Sequence, residues 1–408
     1  MHPKSLFVQA VALGLWLFSD PVAVLGSTEP ANSKPPVFLL SADRLMKVRE
    51  AVRMGDTNFA AALARLENDA KAALKAAPVS VTQKTALPPS GDKHDYMSHA
   101  PYFWPNPTNV NRLPYIRRDG VRNPEINSFP DHSRMNRMAE TVETLALAYY
   151  FKRDERYAER AAEWLRTWFL NPATRMNPNF QYAQAIPGLS EGRGIGLIES
   201  RAFTRVVDAV GLLQGSKGWT SADQRQLREW FGQFLDWMVE SKNGRDEAAA
   251  KNNHGTYYDI QVVSYALFVG KSNVVTNVLA AVGSKRIARQ IEPDGRQPLE
   301  LARTKAWSYS LGNVQGLMML AKLGQSAGFD WWNYSTSDGR NLYKAIEYLL
   351  SFAWSEKKWP YQEIGGFSGE SFYPTLRRAF EHYPDEPFRS AMAKLPARDP
   401  ASRSVLTE

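Results

Sequence analysis

From Ser41 almost to the end of the chain, apolar residues recur at three- and four-residue steps in one segment after another. That spacing keeps a continuous apolar stripe on one face of an α-helix, so the core must be built by packing helices on helices. Ser41 reads as the N-cap of a helix over Ala42 to Ala76. Further amphipathic segments fall at 133–151, 154–169, 196–214, 221–241, 255–269, 272–290, 306–327, 339–355 and 370–382. Two long stretches break the series, 77–131 and 171–195, both rich in Pro, Asn, Gly and aromatic residues. Loops of that length inside a compact domain are commonly functional. Helix pairs joined by short turns suit an all-α fold, an incomplete α/α toroid with the irregular loops over one open end. A two-domain helical array is the alternative, since no regular repeat marks the turns. The toroid is expected over residues 41–390, with a C-terminal tail at 391–408.

With 44% apolar residues and 23% charged, the 408-residue chain has the composition of a folded protein, and it has no cysteine. Disulfides, thiolate nucleophiles, zinc ribbons and iron–sulfur clusters are thereby excluded. The first residues read as a secretory signal peptide over 1–26: His2 and Lys4, an apolar run from Leu6 to Phe18, then small residues around Val24 to Ser27. The run is too short for a bilayer, which needs about twenty residues, so no membrane association is expected after cleavage. A Pro-rich, polar linker over 27–40 follows. The net charge of +8 survives removal of Lys4 and Asp20 with the leader and favours an anionic partner. Export, and the lack of a dense basic run or groove-reading motif, weigh against nucleic acid. Oligomeric state is not legible.

Two segments hold candidate chemistry. In Asn252-Asn253-His254-Gly255-Thr256-Tyr257-Tyr258 two amides and an imidazole precede an amphipathic helix, and a helix start offers hydrogen-bond donors to an anion. On that helix His254, Tyr258 and Gln261 share a face, with Asn253 reaching the same opening from the cap. Taken alone, the pattern is better read as a capping Asn253 and a satisfied core His254. In Glu300-Leu301-Ala302-Arg303-Thr304-Lys305-Ala306-Trp307-Ser308-Tyr309 the arginine and tyrosine are six apart. They converge only if Arg303 lies before the regular helix begins. On the helix itself Trp307, Leu311, Val314, Met318 and Ala321 form the packing stripe, while Tyr309, Asn313 and Gly316 lie off it.

With these segments, and with Asn171-Pro172, Arg175-Met176-Asn177-Pro178, Tyr182-Ala183-Gln184, Pro187-Gly188 and Gly192-Arg193-Gly194, the sequence resembles polysaccharide lyases of the alginate lyase type, over roughly residues 40–385. The resemblance implies an α/α toroid and β-elimination of a uronic-acid polymer, with catalytic roles on Asn253, His254, Arg303 and Tyr309. The stretches from Asp92 to Pro105 and from Leu113 to Gly120 look more like relatives that include lyases for both alginate and β-1,4-glucuronan.

Such an elimination removes a weakly acidic proton beside a carboxylate, whose charge must first be neutralised. Arg303, Asn253 and His254 are suitable donors. A tyrosine can take H5 and return a proton to O4 on the same side of the ring, provided adjacent positive charge lowers its ordinary pKa of about 10. No metal or other cofactor is required by this scheme, and no metal-binding motif is found. The substrate groove is expected to draw on His94, Tyr96, Tyr102, Trp104, Arg117 and Arg118 from one irregular stretch and Tyr182, Gln184 and Arg193 from the other, with Tyr258 beside them. Aromatic faces stack on sugar rings and arginines fork onto carboxylates. Two readings compete. A glycoside hydrolase would need two carboxyl groups across the scissile bond, with Glu191, Glu199, Asp259 and Glu370 available; a noncatalytic glycan-binding protein would need only the groove.

Overall fold

In the computed structural model, which describes residues 33–354 and 357–408, helices begin where short polar side chains can take the first free N–H groups. Ser41 caps α1 (Ala42–Arg53) by accepting from the Arg44 N–H. The helix expected to run to Ala76 is two helices. Gly55, at φ +86°, turns the chain, and α2 (Ala60–Lys75) starts afresh. After α3 (Asp131–Lys152), Arg153 adopts the left-handed conformation and Asp154 caps α4 (Glu155–Leu165). So short a link places the two helices side by side. A π-helical turn, Arg166–Leu170, prolongs α4. A 3-10 turn, Gly194–Arg201, leads into α5 (Ala202–Leu212), and a capping box of Thr220 and Asp223 opens α6 (Ser221–Glu240).

Next come α7 (Lys242–Ala248), α8 (Asn253–Val269) and α9 (Ser272–Val282), then a π-helical turn, Gly283–Ile287, and α10 (Ala288–Gln290). The series closes with α11 (Pro298–Leu301), α12 (Ala306–Ser326), α13 (Leu342–Ala353), α14 (Tyr373–Phe380), α15 (Phe388–Ala393) and α16 (Ser404–Thr407).

Helix α3 packs against α2, α4 and α5, and α8 against α6, α9 and α12. Residues 34–408 form one compact unit, an all-α toroid. Its centre is aromatic: Phe203 meets Trp230, Phe231 and Phe234 edge-on, with centroids 5.7, 6.1 and 5.9 Å away. The expected stripe of α12 is buried from Trp307 to Ala321. Asn313 and Gly316, expected off it, are buried as well. Asn313 donates to Gln290 and Gln297, and a Cβ on Gly316 would stand 2.9 Å from Thr256. The amide and the glycine mark a second contact face, where α12 closely approaches α8.

The two irregular stretches hold short strands. Strand β1 (Met97–His99) pairs in parallel with β4 (Tyr182–Ala185), joining one stretch to the other. Between them in the chain, β2 (Phe103–Trp104) and β3 (Ile116–Arg117) pair antiparallel.

Both ends of the expected toroid need correction. The signal segment 1–26 and the first part of the linker lie outside the described residues. The linker's last residues, however, belong to the body: the backbone N–H groups of Phe38, Leu39 and Leu40 all donate to the buried carboxyl of Asp208, at 2.6, 2.9 and 2.6 Å. The expected tail also folds back. Leu406 is fully buried and the Val405 carbonyl accepts from Arg44 on α1. Among the described residues no helix is long and apolar enough to cross a membrane.

Removing the acceptor of three backbone donors should be costly. Asp208→Ala is expected to lower stability by about 3 kcal/mol or more, read as a lower midpoint in denaturant at unchanged slope. A midpoint within error of the parent would mean that water replaces the carboxyl.

Candidate active site

The irregular loops and the starts of α8 and α12 enclose a cleft of about 820 Å³, lined among others by Tyr102, Gln184, Arg193, Asn253, His254, Arg303 and Tyr309. The start of α8 is set by its own sequence. Asn252, not Asn253, is the N-cap, and its side chain accepts from the His254 N–H. Asn253 is thereby the first helical residue. Its backbone N–H and its Nδ2 each donate at 2.6 Å to one oxygen of Glu300, a buried carboxyl on α11. His254 turns Nδ1 toward Glu247 Oε1, 2.7 Å away on α7. With the carboxylate accepting, Nδ1 carries the proton and Nε2 is left free.

The turn between α7 and α8 is fixed from behind by Arg286, from the π-helical turn after α9. Its guanidinium forks onto Asp259 at 2.7 and 2.9 Å and donates to the Ala250 and Ala248 carbonyls at 2.6 and 3.1 Å. Gly255 is required here, because a Cβ would lie 2.1 Å from Nη1 of that arginine.

Arg303 lies in the turn between α11 and α12, ahead of the regular helix, as convergence with Tyr309 requires. Its guanidinium carbon sits 3.9 Å from the centre of the Tyr309 ring. Nε and Nη2 also fork onto Asp119, at 3.0 and 2.8 Å. Burial works against that charge, but the bonds from Arg303 and the Thr304 N–H hold the Asp119 carboxyl well below the usual carboxylate range. The first turn of α12 is capped from a distance: Glu363 Oε2 accepts from the N–H groups of Trp307, at 2.7 Å, and Ser308, at 3.3 Å. The Tyr309 hydroxyl donates to Tyr102 at 2.9 Å. Burial, and then this bond, push the Tyr309 phenol above its ordinary pKa although Arg303 opposes them. The expected lowering is therefore corrected for the resting protein, because burial and the bond to Tyr102 outweigh the arginine's charge.

The expected groove residues divide. Tyr102, Arg117, Gln184 and Arg193 line the cleft; the others do not. Tyr96 is fully buried, stacked on Phe180 at 4.1 Å, with its hydroxyl on Glu199. Tyr258 is buried and donates to the Met238 carbonyl, and Gln261 is sealed between Ser200 and Tyr257. The shared face of His254, Tyr258 and Gln261 thus breaks down, since α8 is buried on nearly every side. His94 bonds the Arg175 carbonyl, and Trp104 donates to the Val121 carbonyl while Arg118 lies over its ring. These hold the loop together. Tyr182 pairs with Met97 in the small sheet and is not among the lining residues.

Sequence reasoning missed Glu247, Glu300 and Asp119 as partners of the catalytic candidates, and His99, His132, Arg201 and Lys305 as lining residues. No spacing signal pointed to Glu247, because the turn after α7 breaks the helical register to His254. Of the four carboxyls open to a hydrolase, Glu199 alone lines the cleft; Asp259 is locked to Arg286. Among the described residues no group of three or more His, Asp or Glu side chains is placed to hold a metal ion.

The fold and cleft define an α/α-toroid protein with its catalytic candidates at the starts of two neighbouring helices. The alginate lyase family matches residues 80–359, well over half of the chain, and the chain belongs to that family. It is 38% identical to an alginate lyase from Bacteroides ovatus, over 91% of this chain and 98% of that one, with a TM-score of 0.87. Alginate lyase A1-III from Sphingomonas species A1 aligns over 94% of this chain and 99% of its own at 14% identity and a TM-score of 0.57. A histidine variant of A1-III complexed with a tetrasaccharide aligns over 93% of this chain and 98% of its own, at 14% identity and a TM-score of 0.58. At that identity the likeness is one of fold. No curated protein matches the chain.

Proposed function

We propose that the chain is an exported polysaccharide lyase that cleaves a 1,4-linked uronic-acid polymer, mannuronate-containing alginate or β-1,4-glucuronan, by syn β-elimination. The observation that carries this reading is the convergence, in one cleft, of the Tyr309 hydroxyl with Arg303 against its ring, Asn253 and His254. The family and the Bacteroides ovatus alginate lyase support the substrate class. The leader-like residues 1–26 support export to the periplasm or beyond.

Asn253 has one Nδ2 hydrogen on Glu300 and a second to offer a uronate carboxylate. His254, oriented by Glu247, lines the same cleft beside Asn253. The free edge of Arg303 adds positive charge. With the carboxylate neutralised, ionised Tyr309 takes H5, the C5 electron pair forms the C4–C5 double bond, and O4 leaves with the proton that Tyr309 returns. A hydrolase would need a second carboxyl in the cleft, and Glu199 has none beside it among the lining residues.

The test is a panel of mannuronan, β-1,4-glucuronan and neutral glucans read by ultraviolet absorbance, since elimination leaves an unsaturated ring and hydrolysis does not. Reducing ends without absorbance would sink the lyase reading. A pH dependence also follows. The base form is the phenolate, and Tyr309 is held above its ordinary pKa, so kcat/KM should climb about tenfold per pH unit between pH 7 and 9. A flat or falling profile over that range would rule out Tyr309 as the base.

A further inference from the structure

On the proposed reading of the cleft as a uronan site, we propose that Glu199 and Gln184 form a hydroxyl-reading wall that decides which uronate polymer is accepted. Glu199, in the 3-10 turn before α5, contributes the one carboxylate among the described lining residues of a cleft otherwise supplied with arginine, lysine and histidine. Its Oε2 accepts from Tyr96 and Ser98, both at 2.7 Å. Its Oε1 has no donor from the described residues and is not sealed from solvent.

Gln184, on β4, stands next in the same network. Its backbone N–H donates to Ser98 Oγ at 2.8 Å, so one serine ties the two residues together. Its φ is +52°, a conformation such a side chain seldom adopts without a compensating role. Its amide is oriented unambiguously: Oε1 accepts from Arg193 Nη2 at 2.8 Å, while the Gln184 carbonyl accepts from Arg193 Nε at 3.1 Å. Nε2 is therefore the free end, without an acceptor among the described residues.

A free acceptor beside a free donor suits a pair of sugar hydroxyls and repels a carboxylate. A uronate presents its carboxylate at the C5 edge, where Asn253, His254 and Arg303 wait, and its C2 and C3 hydroxyls at the opposite edge. The wall is therefore assigned to the C2–C3 diol. Mannuronate and glucuronate differ in configuration at C2, and an ester at either oxygen removes the proton that Glu199 would accept.

The experiment measures kcat/KM on mannuronan, β-1,4-glucuronan and chemically O-acetylated mannuronan for the parent chain, Glu199→Gln and Gln184→Asn, asparagine being tolerant of positive φ. The parent is expected to favour one unmodified polymer over the other and to cleave the acetylated one at least about tenfold more slowly. Glu199→Gln should lower kcat/KM on the favoured polymer about tenfold, chiefly through KM, and bring the ratios among polymers toward one. Gln184→Asn should shift the same ratios less. A role confined to holding the loop would lower all rates together. Turnover by both folded variants with unchanged ratios overturns the assignment alone. A parent chain that eliminates none of the polymers sinks the lyase reading, and the assignment with it.

Discussion

Tyr309→Phe is expected to lower kcat by about 10³-fold or more, with oligosaccharide binding and melting temperature close to those of the parent chain. The phenylalanine keeps the ring under Arg303 and loses only the hydroxyl that meets Tyr102. The side chain is partly exposed to the cleft, so its removal orphans no sealed polar group. The loss falls on chemistry because one oxygen is asked to serve as both base and acid. Turnover within tenfold of the parent, at any pH from 7 to 9, would end the assignment.

The second large effect falls on stability as much as on activity. Arg286→Ala leaves Asp259 buried without its partner and strips donors from the Ala248 and Ala250 carbonyls. Breaking one side of a buried ion pair costs about 3–5 kcal/mol. The turn it supports carries Asn252, Asn253 and His254, so activity at temperatures well below unfolding should fall too. Replacing both partners, Arg286→Met with Asp259→Leu, should recover much of the stability but not the turn's geometry. A double variant no more stable than Arg286→Ala would show that the bonds to the Ala248 and Ala250 carbonyls, and not the ion pair, carry the stability.

Helix existence was legible because the apolar stripe is local. Ser41 and the 306–327 stripe needed only a few neighbouring residues to be read correctly. What escaped was set by contacts distant in sequence. Nothing near Ala42–Ala76 except Gly55 hints at its break, and nothing in the linker reveals that Asp208, some 170 residues on, awaits three of its N–H groups. At the cleft, Asn253, His254, Arg303 and Tyr309 were found through the resemblance and a simple angular argument. Their carboxylate partners were not, because Glu247, Glu300 and Asp119 come from other elements. The groove was half legible for a related reason. Aromatic composition marks Tyr96, Tyr102 and Trp104 alike, and only contacts with distant residues separate them: Tyr96 is buried against Phe180 and Glu199, Tyr102 lines the cleft, and Trp104 is tied to Val121.

The distant capping of α12 by Glu363 has an outcome for how the molecule is made. Every catalytic candidate has been synthesised by Tyr309, yet the carboxylate that secures the first turn of its helix emerges more than fifty residues later. A partial product still on the ribosome would hold all the candidate groups without the alignment to use them.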